Sequence, residues 1–518
     1  MKILLVYPSY PDTFWSFKHA LRFISKKATF PPLGLLTVAA MLPAEWEKKL
    51  VNMNIDPVTD KDIQWADYVF LSAMAVQQNP TREVINRCKK FGTKVVAGGP
   101  LFTTGYEDFG FDDIDHLVLS EAENLLPQFV EDLQKGCAKH VYKSDERPDL
   151  TKTPIPLWSL IDTKKYQSMS IQYSRGCPFN CDFCDIIIMN GQVPRTKTKE
   201  QIVAELDAIY KLGWHGSIFF VDDNFIGNKR KLKSEILPTL IQWMEEKKHP
   251  FTFFTEVSIN LADDEELLQL MAKAGFDNVF VGIESPNEES LIECNKLPNK
   301  NRDLLASVKK IHNHGLQVMG GFIVGFDSDP ISIFKSQINF IQKSGIVAAM
   351  VGLLNAPPET RLYKRLKKEN RLLPGGSGDN TDGATNFIPK MGYETLVNGY
   401  KHILNTIYAP KPYYERIKIF LNEYKPQRKM RQKFQPHYVG ALFKSMWYLG
   451  VKEKERWYYW RLFISTLLKY PKFISLSIGF AIEGYHFRKV AEKINKTATR
   501  KPKIQPIGEV GGINKASG

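Results

Sequence analysis

Cys177, Cys181 and Cys184 stand at C-x3-C-x2-C spacing in the run Ser174–Cys184, with Phe183 just before the last thiol. Thiolates are the ligands of iron–sulfur clusters, and a cubane of four irons normally takes four. Three protein thiolates leave one iron open to an outside ligand, as a catalytic metal centre requires. A closed zinc site wants four ligands at short paired spacings. No histidine or further cysteine falls between Asp185 and Gly213, so a local fourth ligand is missing. The six cysteines of the 518 residues do not form a disulfide framework pattern, and an open iron needs a reducing compartment, which points to the cytoplasm.

A loop of this kind must be carried by a scaffold. After Met169–Tyr173, apolar strand-like runs alternate with helical patterns through Val347–Leu354, giving six strand–helix units and predicting a partial (βα)6 barrel. Polar residues gather at the expected strand ends, where barrel enzymes place their chemistry: Asp222-Asp223-Asn224, Glu256 and Ser258, and Glu284. Glycines punctuate the fifth strand in GGFIVGF, Gly320–Phe326. Cys294, at the start of a barrel helix, reads as a buried or incidental thiol rather than a functional one.

The cysteine run, together with VDDNF (Val221–Phe225) and GGFIVGF, resembles the radical S-adenosylmethionine (SAM) enzymes. The resemblance implies a [4Fe–4S] cluster on Cys177, Cys181 and Cys184 as both metal ligands and catalytic core, with SAM chelated at the open iron. It implies SAM contacts from Asp222, Asp223, Asn224, Glu256, Ser258, Gly321 and Gly325. One electron from the cluster would cleave SAM to a 5′-deoxyadenosyl radical able to abstract hydrogen from an unactivated carbon, while the protein positions substrate and excludes water.

Residues 1–136 also alternate short apolar runs with helices, which argues a doubly wound, Rossmann-like parallel sheet. Such sheets bind ligands beyond the carboxyl ends of their strands. ILLVYPSYP, PPLGLLTVAA, VVAGGP and the strand before SEAE resemble the cobalamin-binding domains that precede many radical SAM domains. That resemblance implies cobalamin, with Ser72, Gly98, Gly99 and Glu121 as contacts. The D-x-H-x-x-G signature is absent, and no histidine lies between His19 and His116, so that loop supplies no histidine to cobalt.

Residues 137–166, with three prolines and many charges, read as a linker; 167–360 form the barrel; 361–518 are a mostly helical, basic extension. The charge is lopsided. Residues 401–518 hold 24 Lys+Arg against 7 Glu, a net of +17, whereas residues 1–400 hold 46 against 49, a net of −3. Trp457-Tyr458-Tyr459-Trp460 beside Arg456, Arg461, Lys469 and Lys472 suggests peripheral membrane contact, ahead of a nucleic-acid backbone or a plain helical cap. No stretch of eighteen uncharged apolar residues occurs.

The domain order resembles the cobalamin-dependent (class B) radical SAM methyltransferases with a C-terminal extension, the group that includes hopanoid C-2 methylase. It implies C-methylation of an unactivated carbon in a hydrophobic small-molecule or lipid-like substrate, and an electron donor of flavodoxin or ferredoxin type. The competing readings are a radical C–C bond-forming or cyclising enzyme without methyl transfer, and a non-catalytic cobalamin or cluster sensor.

Overall fold

The computed structural model describes residues 1–105, 110–111, 114–373, 378–379, 382–426 and 436–496. The first six strands are β1 (Lys2–Tyr7), β2 (Glu47–Asn52), β3 (Tyr68–Ser72), β4 (Lys94–Gly98), β5 (His116–Leu119) and β6 (Val141–Lys143). They form one parallel sheet in the order β2-β1-β3-β4-β5-β6. The order reverses between β1 and β3, and a crevice opens beyond the strand ends at such a switch point. Ile3–Val6 are wholly buried, as expected of a central strand covered on both faces by helices. The sheet runs on into the predicted linker, because β6 pairs with β5. Only Tyr142 of that edge strand is buried, and three residues are too short a run to read as a strand.

The second sheet is parallel too: β7 (Met169–Ile171), β10 (Ser217–Phe220), β11 (Thr252–Val257), β12 (Phe276–Glu284), β13 (Gln317–Val324) and β14 (Ala349–Leu353), side by side in that order. It is the expected partial (βα)6 barrel. Between β7 and β10 a two-residue hairpin, β8 (Ser174–Arg175) with β9 (Arg195–Thr196), closes the base of the cysteine loop. Along β10–β13 buried residues facing the helices alternate with partly open ones facing inward. The inner face is therefore a chamber wall and not a filled core. Phe219, Phe254 and Phe280 stand on it; the first two rings stack at 4.7 Å and 3°.

The chain between β1 and the helix Leu33–Met41 crosses to the barrel, where Phe30 lies 5.1 Å from Phe219 and Trp15 lies 4.9 Å from Phe280. The helical extension holds it down. His486, fully buried on the helix Ile474–Lys496, meets the carbonyls of Thr13 and Phe14 at 3.1 Å through Nε2. Arg416, also fully buried, donates to the Val347 carbonyl at 3.1 Å and the Ile407 carbonyl at 2.9 Å, welding the extension to the barrel.

Candidate functional site

The cysteine loop is pinned before it is loaded. Gly176 has φ +100°, and a Cβ there would sit 2.9 Å from the Val193 carbonyl oxygen, so glycine is required. Asp223 accepts from Gly176 N at 2.7 Å and from Asn190 Nδ2 at 2.9 Å. Asp222 accepts from Tyr173 N at 3.2 Å, from Ser174 Oγ at 2.6 Å and from Ser174 N. Burial pushes Asp222 up to about 7 against those bonds, and pushes Asp223 up as well. Both carboxyls thus staple the start of the loop, a task the sequence did not reveal. Its far side is buttressed by Asp182 N donating to the Cys294 carbonyl at 3.0 Å and by an Arg361–Asp182 ion pair at 3.2 Å.

The three thiols share one environment. Burial raises each, and opposing groups favour the thiolates: Phe179 N–H toward Cys177, Ile186 N–H toward Cys184, and the Lys296 ammonium toward all three. Lys296 bonds Glu284 Oε1 at 2.7 Å. Burial pulls the ammonium down, but Glu284 and Cys181 more than reverse that, so it stays charged. Glu284 reaches it from a left-handed backbone, φ +61°, unusual outside glycine. Among the described residues no three His, Cys, Asp or Glu side chains converge on a single ion. A cubane gives each thiolate its own iron, so three thiols on one loop, two of them met by backbone N–H groups and all three by the Lys296 charge, fit it. Cys294 is buried beside them, its sulfur against the Leu291 carbonyl at 3.7 Å.

Asn224 Nδ2 lies 3.9 Å from the Cys177 sulfur and 3.3 Å from Ser258 Oγ. Asn224, Ser258 and Asn260 also border a cavity of about 390 Å³ that reaches Phe179 and Pro194. Glu256 stands on the inner face of β11, pushed up to about 8 by burial and by Asp223 and Asp222. Gly321 is on the inner face of β13, where a Cβ would meet the Phe280 ring at 2.9 Å. Gly325 (φ +111°) turns the chain against Leu396, and its N–H is held by Asp329 at 2.8 Å.

Ser72, Gly98 and Gly99 lie together at the carboxyl ends of β3 and β4; a Cβ on Gly99 (φ +88°) would fall 2.6 Å from Ser72 Oγ. Gly98 is bare for the same reason, since a Cβ there would meet the Val118 carbonyl oxygen at 2.9 Å, so the end of β4 closes without side chains. Glu121, beyond β5, is differently employed. Its carboxylate holds Arg175 and Arg195, each at 2.7 Å, with Arg147 at 3.8 Å. Glu123 adds a second bond to Arg175 at 2.7 Å. Glu121, expected as a cobalamin contact, has arginines on both oxygens and so forms a clamp. That clamp joins the first domain to the residues flanking Cys177. The helix Pro100–Gly105 packs on the short helix Ile186–Met189 of the cysteine loop, so the two sheets' reactive ends face one another.

Comparison with known proteins agrees with this layout. Family models match for a B12 binding domain over residues 22–130, the radical SAM superfamily over 171–341, and a domain of unknown function over 360–500. An uncharacterized methyltransferase of Synechocystis is 41% identical over 500 residues, covering 96% of this chain and 93% of the relative. Hopanoid C-2 methylase of Rhodopseudomonas palustris is 33% identical over 481 residues, covering 90% of each. Among solved structures, the cobalamin-dependent SAM radical enzyme OxsB superposes with a TM-score of 0.61 at 16% identity, over 95% of this chain and 80% of that one. The radical SAM methyltransferase TsrM from Kitasatospora setae gives 0.55 at 15%, over 72% and 77%. At these identities the two structures speak for the fold.

Proposed function

This chain belongs to the cobalamin-binding radical SAM methyltransferases, and from that premise we propose that the carbon it methylates lies in a lipid-like, largely apolar molecule. Its cofactors are a [4Fe–4S] cluster, SAM and cobalamin, and a reductant must feed the cluster. When bound, cluster and SAM supply the 5′-deoxyadenosyl radical and cobalamin supplies the methyl group.

The protein's own residues then divide the work. Cys177, Cys181 and Cys184 would hold the cluster. Asn224 and Ser258, next to Cys177, would orient SAM, with Gly321 leaving room on the inner wall and Gly325 turning the chain at its end. Asp222 and Asp223 serve indirectly, by fixing the loop. Glu256 keeps a proton near neutrality on the chamber wall. Ser72, Gly98 and Gly99 would carry the cobalamin ring. A donor of flavodoxin or ferredoxin type suits the low potential required.

The observation that carries the substrate reading is the chamber wall: Phe219, Phe254 and Phe280 on the strands, with Trp15 and Phe30 brought across from the first domain. Five aromatic rings favour a large apolar body over a polar one. The relative whose name states a hopanoid substrate points the same way. Among the described residues no helix is long and apolar enough to cross a membrane, so a substrate dissolved in a bilayer would be met by peripheral contact, for which the basic extension is suited. The test is anaerobically reconstituted protein with SAM, a strong reductant, and polycyclic lipids beside water-soluble acceptors. A product heavier by one CH2 from the lipids alone is expected; methylation confined to polar acceptors would contradict the reading.

A further inference from the structure

Large exposed apolar side chains are scattered singly over most of the protein, but seven of the seventeen among the described residues fall within 443–468. Single ones need no explanation, whereas a concentration does. On the helix Arg456–Lys469, Trp457, Arg461, Ile464 and Leu468 follow the i, i+4, i+7, i+11 spacing of one helical face. Trp457 is 73% exposed and Leu468 77%, while Tyr459, Leu462 and Thr466 bury the opposite face. The preceding helix Pro436–Trp447 and the π-turn Tyr448–Lys452 add Phe443, Trp447 and Val451 at i, i+4, i+8. Lys452 lies over the Trp447 ring at 5.7 Å, tying cation to aromatic at the junction.

The charge around these stripes has one sign. Lys452, Lys454, Arg456, Arg461, Lys469 and Lys472 are all exposed. The only acids between residues 424 and 482 are Glu453 and Glu455, and Glu455 is turned to Arg488 at 3.2 Å. We propose that this face docks on the anionic leaflet of a lipid bilayer, with Trp457, Ile464 and Leu468 entering the headgroup–acyl boundary and the lysines and arginines on lipid phosphates. A second copy of the chain is disfavoured, because a self-complementary contact would set this uniformly cationic face against itself. Nucleic acid would use the cations and rings but leaves bare aliphatic side chains without a partner. The proposal deepens the lipid reading above by assigning the surface, yet vesicle binding and substrate turnover are measured separately, so either can fail alone.

The experiment is co-sedimentation of the reconstituted full-length protein with phosphatidylcholine vesicles, and with vesicles carrying roughly one third phosphatidylglycerol. Binding to the anionic vesicles alone is expected, weakening with salt and by roughly fivefold for each of Arg461→Gln and Lys469→Gln. The double variant Ile464→Asn, Leu468→Asn should lose binding while keeping its iron content and its 5′-deoxyadenosine formation. In brominated-lipid quenching, Trp457→Phe should remove part of the quenched emission. Equal binding to neutral vesicles, or binding retained by the double variant, would overturn the proposal. So would a native dimer that the double variant splits without any vesicle binding, or DNA binding that survives those substitutions in a protein ignoring vesicles.

Discussion

Four cysteines crowd the same corner, and only three of them belong to the C-x3-C-x2-C loop. Cys177, Cys181 and Cys184 share the loop that Asp222 and Asp223 pin, whereas Cys294 lies outside it and, although the Lys296 N–H reaches its sulfur, donates its own S–H to the Leu291 carbonyl at 3.7 Å. Alanine at Cys177, Cys181 or Cys184 should therefore strip most of the iron from reconstituted protein, while Cys294→Ala should keep it, as iron and sulfide analysis will read. Glu121 makes a second prediction at this scale. It is nearly buried among guanidiniums, and removing one partner of a buried ion pair strands the others. Glu121→Gln should lower stability by about 3 kcal/mol in denaturant titration, against at most about 1 kcal/mol for Asp56→Asn in the exposed pairs with Lys27 and Lys165. The cysteine triad was legible because ligand spacing is local. Lys296 and the clamp were not, since Glu121, Arg175 and Arg195 lie 54 and 74 residues from one another's partner and meet only in the fold.

At the scale of elements, the alternation along β10–β13 predicts which substitutions touch substrate and which touch folding. Trp15 is only partly covered and is not needed to close a core, so Trp15→Ala should raise KM for an apolar substrate by about tenfold with kcat and iron content little changed. An unchanged KM would remove the first domain from the chamber wall. Gly176→Ala should instead damage the loop, since its left-handed backbone and the nearby Val193 carbonyl both oppose a side chain; cluster retention after gel filtration reads that. The strand–helix alternation and the barrel were readable from apolar runs alone. The crossing between β1 and the next helix was not, because Phe14, Trp15, Phe23 and Phe30 follow neither a helical nor a strand period and are placed only by their partners on other domains.

For the whole molecule, the crossing segment, the barrel and the extension share one continuous core, so the extension is structural as well as a surface. Its hold on residues 13–14 has a pH signature. Burial pulls His486 down to about 4 from its ordinary value near 6.5, so the folded form binds fewer protons than the unfolded one. Stability from this residue is present above about pH 6.5 and is lost as pH falls toward 4, by up to roughly 3 kcal/mol. Amide exchange across residues 13–25 should accelerate at pH 5 relative to pH 7, and His486→Gln should flatten that dependence. The domain order and the basic excess of the last 118 residues were legible in composition. The packing of that extension on the barrel and on the first domain was not, because Arg416 and His486 look like surface residues until their buried carbonyl partners, Val347 and Phe14, are seen.

The central claim is that three thiolates leave one iron for SAM. Electron paramagnetic resonance of the reduced, anaerobically reconstituted protein, recorded with and without SAM, tests it most directly. A [4Fe–4S] signal that SAM visibly perturbs, and that disappears in Cys177→Ala, is the predicted result. A signal indifferent to SAM, or one that persists without Cys177, would contradict it.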